Sequence, residues 1–273
     1  MLRPGLLVDA DAVPADAVLL DTRLALSGPS GRSRYQAGHL PGAAFVDVDD
    51  DLAGTPGAGG RHPLPEPHDF VAAMRRAGVG RTSTVVAYDD TAGTAAARLW
   101  WLLRDYGHAD VMLLDGGVAA WLASGRALST EPVAPAPGDW DGSPGRLPVV
   151  DADTAGGLTD GGVLIDVRAA ERFRGEHEPI DPVAGHIPGA VNAPLTEITD
   201  RSGCFLPDDL LRGRFVALGV ADRVPVAAYC GSGVTATQTL LALRLAGFDD
   251  AALYPGSWSG WITDPTRPVA SGS

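Results

Sequence analysis

Four blocks recur in the same order in the two halves of this chain, and the repeat limits the fold more than any other feature of the sequence. The first half carries LLDTR (19–23), AGHLPGAAFVDVD (37–49), VVAYDDTAGTAAARLWWLLRDYG (85–107) and LLDGGVAAW (113–121). The second carries LIDVR (164–168), AGHIPGAVNAP (184–194), VAAYCGSGVTATQTLLALRLAG (226–247) and LYPGSWSGW (253–261). Matched positions keep a nearly constant offset: 145 from Asp21 to Asp166, 147 from His39 to His186 and 141 from Tyr88 to Tyr229. Chance does not preserve order and spacing over four blocks, so the chain is read as an internal duplication. Its 273 residues then divide into two domains of ordinary size. The expected boundaries are 1–126 and 148–273, joined by a Pro/Gly-rich linker at 127–147 that lacks any apolar period.

Each repeat alternates short apolar runs with helical stretches. VLLD, FVDV, VVAY and VMLL in the first half, and VLID, AVNA, VAAY and AALY in the second, are apolar on both faces, as strands buried in a parallel sheet require. Between the later runs lie stretches such as 235–247, where Leu240, Leu241, Leu243 and Leu245 form a broad apolar face closed by Gly247. Strands alternating with helices predict two doubly wound, parallel-sheet α/β domains.

Composition narrows the partners. The formal net charge is −13, with no basic cluster to offset it, so nucleic acid is not an expected ligand. A small anionic substrate would need a local arginine site to overcome that field. No window approaches the roughly 18 continuous apolar residues of a membrane span. No secretory leader is read at the start, so a cytoplasmic protein is expected. The six histidines show no ligand spacing with cysteines or acids. No glycine-rich nucleotide fingerprint appears either, so neither metal nor cofactor is expected.

In open α/β sheets, chemistry sits where a strand passes into a helix. Tyr229 ends an apolar run, the next helix starts near Thr235, and Cys230-Gly231-Ser232-Gly233-Val234-Thr235 lies between. Two glycines allow the backbone N–H groups to converge, and the helix start adds positive partial charge. A thiol at the head of such a loop is in surroundings that favour negative charge on sulfur. The first half repeats the loop with Asp89 at the cysteine's place, as expected when only one copy keeps the nucleophile.

Taken together, D-x-R opening each half, G-H-[IL]-P-G-A in each half, C-G-S-G-V-T-A at 230–236 and G-S-W-x-x-W ending at Trp261 resemble the tandem-domain rhodanese family of sulfurtransferases over nearly the whole chain. The resemblance implies two rhodanese-like domains, a catalytically silent first half, and a Cys230 persulfide as sulfur carrier. It also implies that the loop amides of Gly231 to Thr235 cradle the sulfur, and that Arg172 binds the donor. Within the family, C-G-S-G-V-T is similar to 3-mercaptopyruvate sulfurtransferases, whereas thiosulfate:cyanide enzymes carry two cations in the loop. Mercaptopyruvate enzymes often hold a second arginine in an E-P-R-D segment. Here Glu178-Pro179-Ile180-Asp181 has isoleucine instead, which leaves Arg61 or His62, in GGRHPLP, as candidates for the missing charge.

The expected reaction moves sulfane sulfur from a small anionic donor, 3-mercaptopyruvate favoured over thiosulfate, to a thiol such as thioredoxin or a small thiol, or to cyanide. A non-catalytic sulfur-relay module is the alternative outside the enzyme class. A phosphatase of related fold needs C-x5-R, and position 236 is Ala. Arg23 and Arg168 occur in both copies and are expected in internal ion pairs. His39 and His186 are expected in structural hydrogen bonds, and Trp258 and Trp261 in the core. Ser232 and Thr235 suit either hydrogen bonding to sulfur or a leaving enolate, or helix capping. Cys204 is assigned no role.

Overall fold

The computed structural model describes residues 5–24, 28–158 and 160–272. The chain forms two compact units. One comprises residues 1–54, 65–146 and 201–205; the other comprises 55–64, 147–200 and 206–273.

The first unit contains a five-stranded parallel sheet in the order β1-β5-β4-β2-β3. Its strands are β1 (Leu7–Val8), β2 (Val18–Asp21), β3 (Ala44–Phe45), β4 (Val85–Tyr88) and β5 (Val111–Leu114). Its helices are α1 (Gly31–Ala37), α2 (Val48–Asp51), α3 (Pro67–Arg76), α4 (Ala96–Asp105) and α5 (Gly117–Ala123). The FVDV run does not stay extended to its end. Asp47 turns the chain by accepting a bond from the Asp49 amide, and three aspartates then fill the first turn of α2, where the helix dipole favours them. Residues 127–147 form no helix and are packed down: Ser129 exchanges two backbone bonds with His39, and Trp140, 4% exposed, stacks edge-on against Phe70.

The second unit has a four-stranded parallel sheet in the order β7-β6-β8-β9. Its strands are β6 (Val163–Asp166), β7 (Val191–Asn192), β8 (Val226–Tyr229) and β9 (Ala252–Leu253). Its helices are α6 (Ala152–Gly157), α7 (Ala170–Phe173), α8 (Asp208–Ala217), α9 (Ala236–Leu245) and α10 (Ser257–Trp261). β8 is central and buried throughout, so it needs apolar residues on both faces. Its core includes Leu164, Ala227, Tyr229, Trp258 and Trp261.

The repeated motifs are scaffold, built identically in each unit. Arg168 bonds both oxygens of Asp166 and gives Nη2 to the carbonyl of Gly185 at 2.6 Å. Arg23 does the same with Asp21 and the carbonyl of Gly38 at 2.7 Å. The hydroxyl of Tyr229 accepts the Ile187 amide and that of Tyr88 accepts the Leu40 amide, each at 3.1 Å. His186 stacks on Phe173 and bonds its carbonyl, while His39 stacks on Tyr35 and bonds that carbonyl. These contacts tie the G-H-x-P-G turn to the carboxyl end of the central strand, at the edge of the loop that follows it.

Candidate functional site

The loop from Cys230 to Thr235 runs from the end of β8 to the start of α9. Gly233 adopts φ +87° with its α-carbon so close to the Pro255 carbonyl that a Cβ would lie 2.3 Å from the oxygen; only glycine fits there. This turn aims the Gly233 amide at the Cys230 sulfur, 3.0 Å away. Cys230 itself is 2% exposed, so small reactants alone reach its Sγ without movement of the loop.

A second side chain meets the cysteine. The Ser257 hydroxyl accepts the Cys230 amide at 3.1 Å, and its proton goes either to the Tyr254 carbonyl at 3.0 Å or to Sγ at 3.9 Å. Ser257 is held in the left-handed region at φ +52°. That conformation costs a non-glycine residue about 1 kcal/mol or more, and such strain persists where the surroundings enforce it. The first copy has Gly117 here, at φ +54°. A strained serine where the duplicate has glycine is a sequence signal for this contact, and the motif G-S-W alone did not expose it.

The first unit shows what kind of group this loop holds. Asp89, fully buried, stands at the cysteine's position. Its Oδ1 accepts the amides of Thr91 and Gly93, each at 2.8 Å, and its Oδ2 those of Ala95 and Ala96 at 2.8 and 3.0 Å. Four convergent N–H groups meet one carboxyl, whose pKa burial pushes up against the pull of those amides. In the first unit the loop gathers its amides around the chain's own carboxyl group. By position the matching residues of the second loop are Ser232, Val234, Ala236 and Thr237, but there the Gly233 amide bonds Sγ and the Thr237 amide bonds the Val234 carbonyl at 3.3 Å.

Over the second loop stand Arg61, His62 and Arg172. Arg61 and His62 belong to a segment (55–64) drawn from the first half of the sequence but packed within the second unit. Its glycines explain the approach: Gly57 and Gly60 pair across a tight turn, and a Cβ on Gly60 would sit 2.7 Å from the Gly256 carbonyl. The Arg61 amide then bonds Ser259 Oγ at 3.0 Å. His62 Nδ1 lies 2.7 Å from the Ser232 hydroxyl. The Arg61 and Arg172 guanidinium groups both reach Gly231, with Nη2 atoms 3.0 and 3.5 Å from the place a Cβ would take. Glycine at 231 leaves room for two cations; a Cβ there would crowd the Arg61 guanidinium and touch that of Arg172.

The guanidinium groups are positioned by two acids. Glu178 accepts Arg172 Nε at 3.0 Å and Nη2 at 2.8 Å, together with the amides of Ile180 and Asp181. Burial alone would raise its pKa, but the Arg172 bond and the two amides hold it below the usual carboxylate value. Asp181 lies between Arg61 and Arg172 and pairs with both. Here burial prevails and pushes the carboxyl up, against the pull of the two arginines.

The other candidates fall as follows. Ser232 is buried against His62, Val234 is buried, and Thr235 is the N-cap residue of α9 but makes no side-chain cap bond. Trp258 is fully buried, donating Nε1 to the Val183 carbonyl beneath the Arg168 guanidinium. Ile180 is 43% exposed. Cys204 lies in the first unit, not with Cys230 in the second. Among the described residues no group of acids, cysteines and histidines has metal-site geometry, and no helix is long and apolar enough to cross a membrane.

Two parallel-sheet units, each with an amide-lined loop after a central strand that is headed by cysteine in one and aspartate in the other, define the class: two rhodanese-fold domains in tandem. The Rhodanese-like domain family matches the chain at residues 8–124 and 151–264. A Pseudomonas aeruginosa protein assigned as a 3-mercaptopyruvate sulfurtransferase is 50% identical over 264 residues, covering 94% of this chain and 93% of the relative. A Mycobacterium tuberculosis protein assigned as a thiosulfate sulfurtransferase, SseB, is 44% identical over 93% of this chain and 91% of its own length. The crystal structure of the 3-mercaptopyruvate enzyme SseA from Escherichia coli superposes with a TM-score of 0.80 at 33% identity, covering 90% of this chain and 94% of that one. The chain belongs to the rhodanese family, as a tandem-domain sulfurtransferase.

Proposed function

We propose that this sulfurtransferase takes sulfur from 3-mercaptopyruvate onto Cys230 and hands it to a thiol. The observation that carries the reading is the pair of guanidinium groups over Gly231, beside a loop with no cation of its own. Arg172 offers the donor carboxylate its Nη1, since Nε and Nη2 are held by Glu178 and Asp181, and Arg61 assists, supplying the charge that Ile180 does not. The Cys230 thiolate attacks the donor sulfur, forming an S–S bond. The C–S bond breaks and its electron pair becomes the enolate of pyruvate. Ser232, bonded to His62, donates to the enolate oxygen as charge builds there, and the thiol proton of the donor ends on the methyl carbon of pyruvate. The persulfide left on Cys230 lies among the loop amides of Gly231 to Thr235, of which that of Gly233 already bonds Sγ. A second thiolate, from a small thiol or a thioredoxin-type protein, then attacks the outer sulfur, leaving Cys230 as thiolate. Two half-reactions through a covalent intermediate imply double-displacement kinetics.

The test is a donor comparison. Wild-type protein turns over 3-mercaptopyruvate in preference to thiosulfate, and Arg172→Ala lowers kcat/KM for 3-mercaptopyruvate by roughly 10- to 100-fold, the worth of charged hydrogen bonds to a carboxylate. A strong preference for thiosulfate in the wild type, or an Arg172→Ala variant as active as wild type, contradicts the donor assignment.

A further inference from the structure

We propose that Asp181 determines donor specificity by partly neutralising the two donor-binding arginines, so that the site accepts monoanionic donors and turns away dianions. The inference rests on the reading of Arg61 and Arg172 given above. Six charged groups are linked beside Gly231: Arg61, Arg172 and, through Glu178, Arg168, against Asp181, Glu178 and the Asp166 that pairs with Arg168, formally a neutral set. Glu178 and Asp181 are not equivalent. Glu178 is fixed by a bidentate guanidinium and two backbone amides, so it orders the 178–181 turn and orients Arg172. Asp181 receives none of those amides on its carboxylate. Its side chain, 2% exposed, bonds Arg61 Nη1 and Arg172 Nη2, with the latter at 3.1 Å.

Asp181 therefore shares the charge of both arginines while leaving atoms of each fork directed at Gly231. Those atoms are Arg61 Nη2, at 3.0 Å from the Cβ position, and Arg172 Nη1, at 3.7 Å. A monoanionic carboxylate bound there leaves the set at one net negative charge. A dianion leaves two, in a place where the acids are almost wholly withdrawn from water and screening is weak. The position of the thiosulfate-type loop cation is crowded as well: a Cβ at residue 231 would lie 3.0 Å from Arg61 Nη2 and in contact with Arg172. Arginine placement and charge balance thus act in the same direction.

The experiment measures kcat/KM of Asp181→Asn and wild type with 3-mercaptopyruvate and with thiosulfate. The account expects KM for both donors to fall, and the thiosulfate to 3-mercaptopyruvate ratio of kcat/KM to rise roughly tenfold, since the dianion gains more from losing a fixed negative charge. A residue that merely holds the arginines in place would instead raise KM for both donors. An unchanged ratio, or one that moves toward 3-mercaptopyruvate, overturns the proposal. Competitive inhibition of the wild type by pyruvate and by sulfate tests the same point without a variant that has to fold. Pyruvate is expected to inhibit at concentrations at least roughly tenfold below sulfate, and equal inhibition overturns the charge selection. If Arg172→Ala leaves the donor KM unchanged, the clamp reading itself fails. If Arg172→Ala raises it and Asp181→Asn leaves the ratio alone, only the role of Asp181 fails.

Discussion

Cys230→Ser abolishes sulfur transfer while the protein remains folded. Serine fits the same buried position, and its oxygen accepts the Gly233 amide that now bonds Sγ. Oxygen, however, cannot accept and release a sulfane sulfur, so the first half-reaction has no nucleophile. A fall in turnover on the order of 10³-fold or more is expected with either donor, as when a covalent catalyst loses its attacking atom. The thermal midpoint should stay close to wild type, because the substitution changes little volume and leaves the loop amide bonded. Steady-state assays and a thermal melt on one preparation check both halves of the statement. Residual turnover near the wild-type level would show that sulfur travels by another thiol, with Cys204 the remaining one in the chain, or that the protein serves as a relay without its own nucleophile.

Asp89→Ala has the second large effect, and it falls on stability. The carboxylate satisfies four buried amides at 2.8 to 3.0 Å, and alanine satisfies none. An unsatisfied buried donor costs about 1–3 kcal/mol, and the loss of a charged acceptor to several of them is costlier still. Allowing for water entering the emptied loop, a loss of about 3 kcal/mol or more is expected in denaturant unfolding. If the loop is an anion receptor, added sulfate should restore part of the loss in the variant beyond its effect on wild type, because binding to the folded form alone stabilises it. A variant as stable as wild type would mean that those amides find other partners, and the parallel between the two loops would lose its force.

Much of this architecture was legible from the duplicated motifs. Apolar runs on both faces marked the central strands β2, β4, β6 and β8, since a strand covered on both sides leaves polar residues no place. The Asp166–Arg168 and Asp21–Arg23 pairs followed from two-residue spacing at strand ends, repeated where no nucleophile exists. The strand-to-helix loop carrying Cys230 was equally plain, because glycine placement and the Asp89 counterpart both report on it. What escaped was set by tertiary contact. Arg61 and His62 were legible as candidates for the missing charge, but nothing local fixes them over the Cys230 loop; that depends on Gly60 fitting under the Gly256 carbonyl, which only the folded unit creates. Asp181 and Glu178 read as a fragment with one arginine missing, and their distinct roles depend on which backbone amides point at which carboxylate. Ser257 was hidden for a related reason: its left-handed backbone is invisible in the residue name. The FVDV run failed at its end because capping by Asp47 and the dipole preference of three aspartates outweigh the extended pattern.

The central claim, that Cys230 carries the sulfur, is tested most directly by intact and peptide mass spectrometry after the protein meets 3-mercaptopyruvate without an acceptor. The account predicts a gain of one sulfur atom, confined to the peptide containing Cys230, removed by a thiol reductant and absent from Cys230→Ser. A protein that turns over donor yet never gains that mass, or that gains it on the Cys204 peptide instead, would contradict the account.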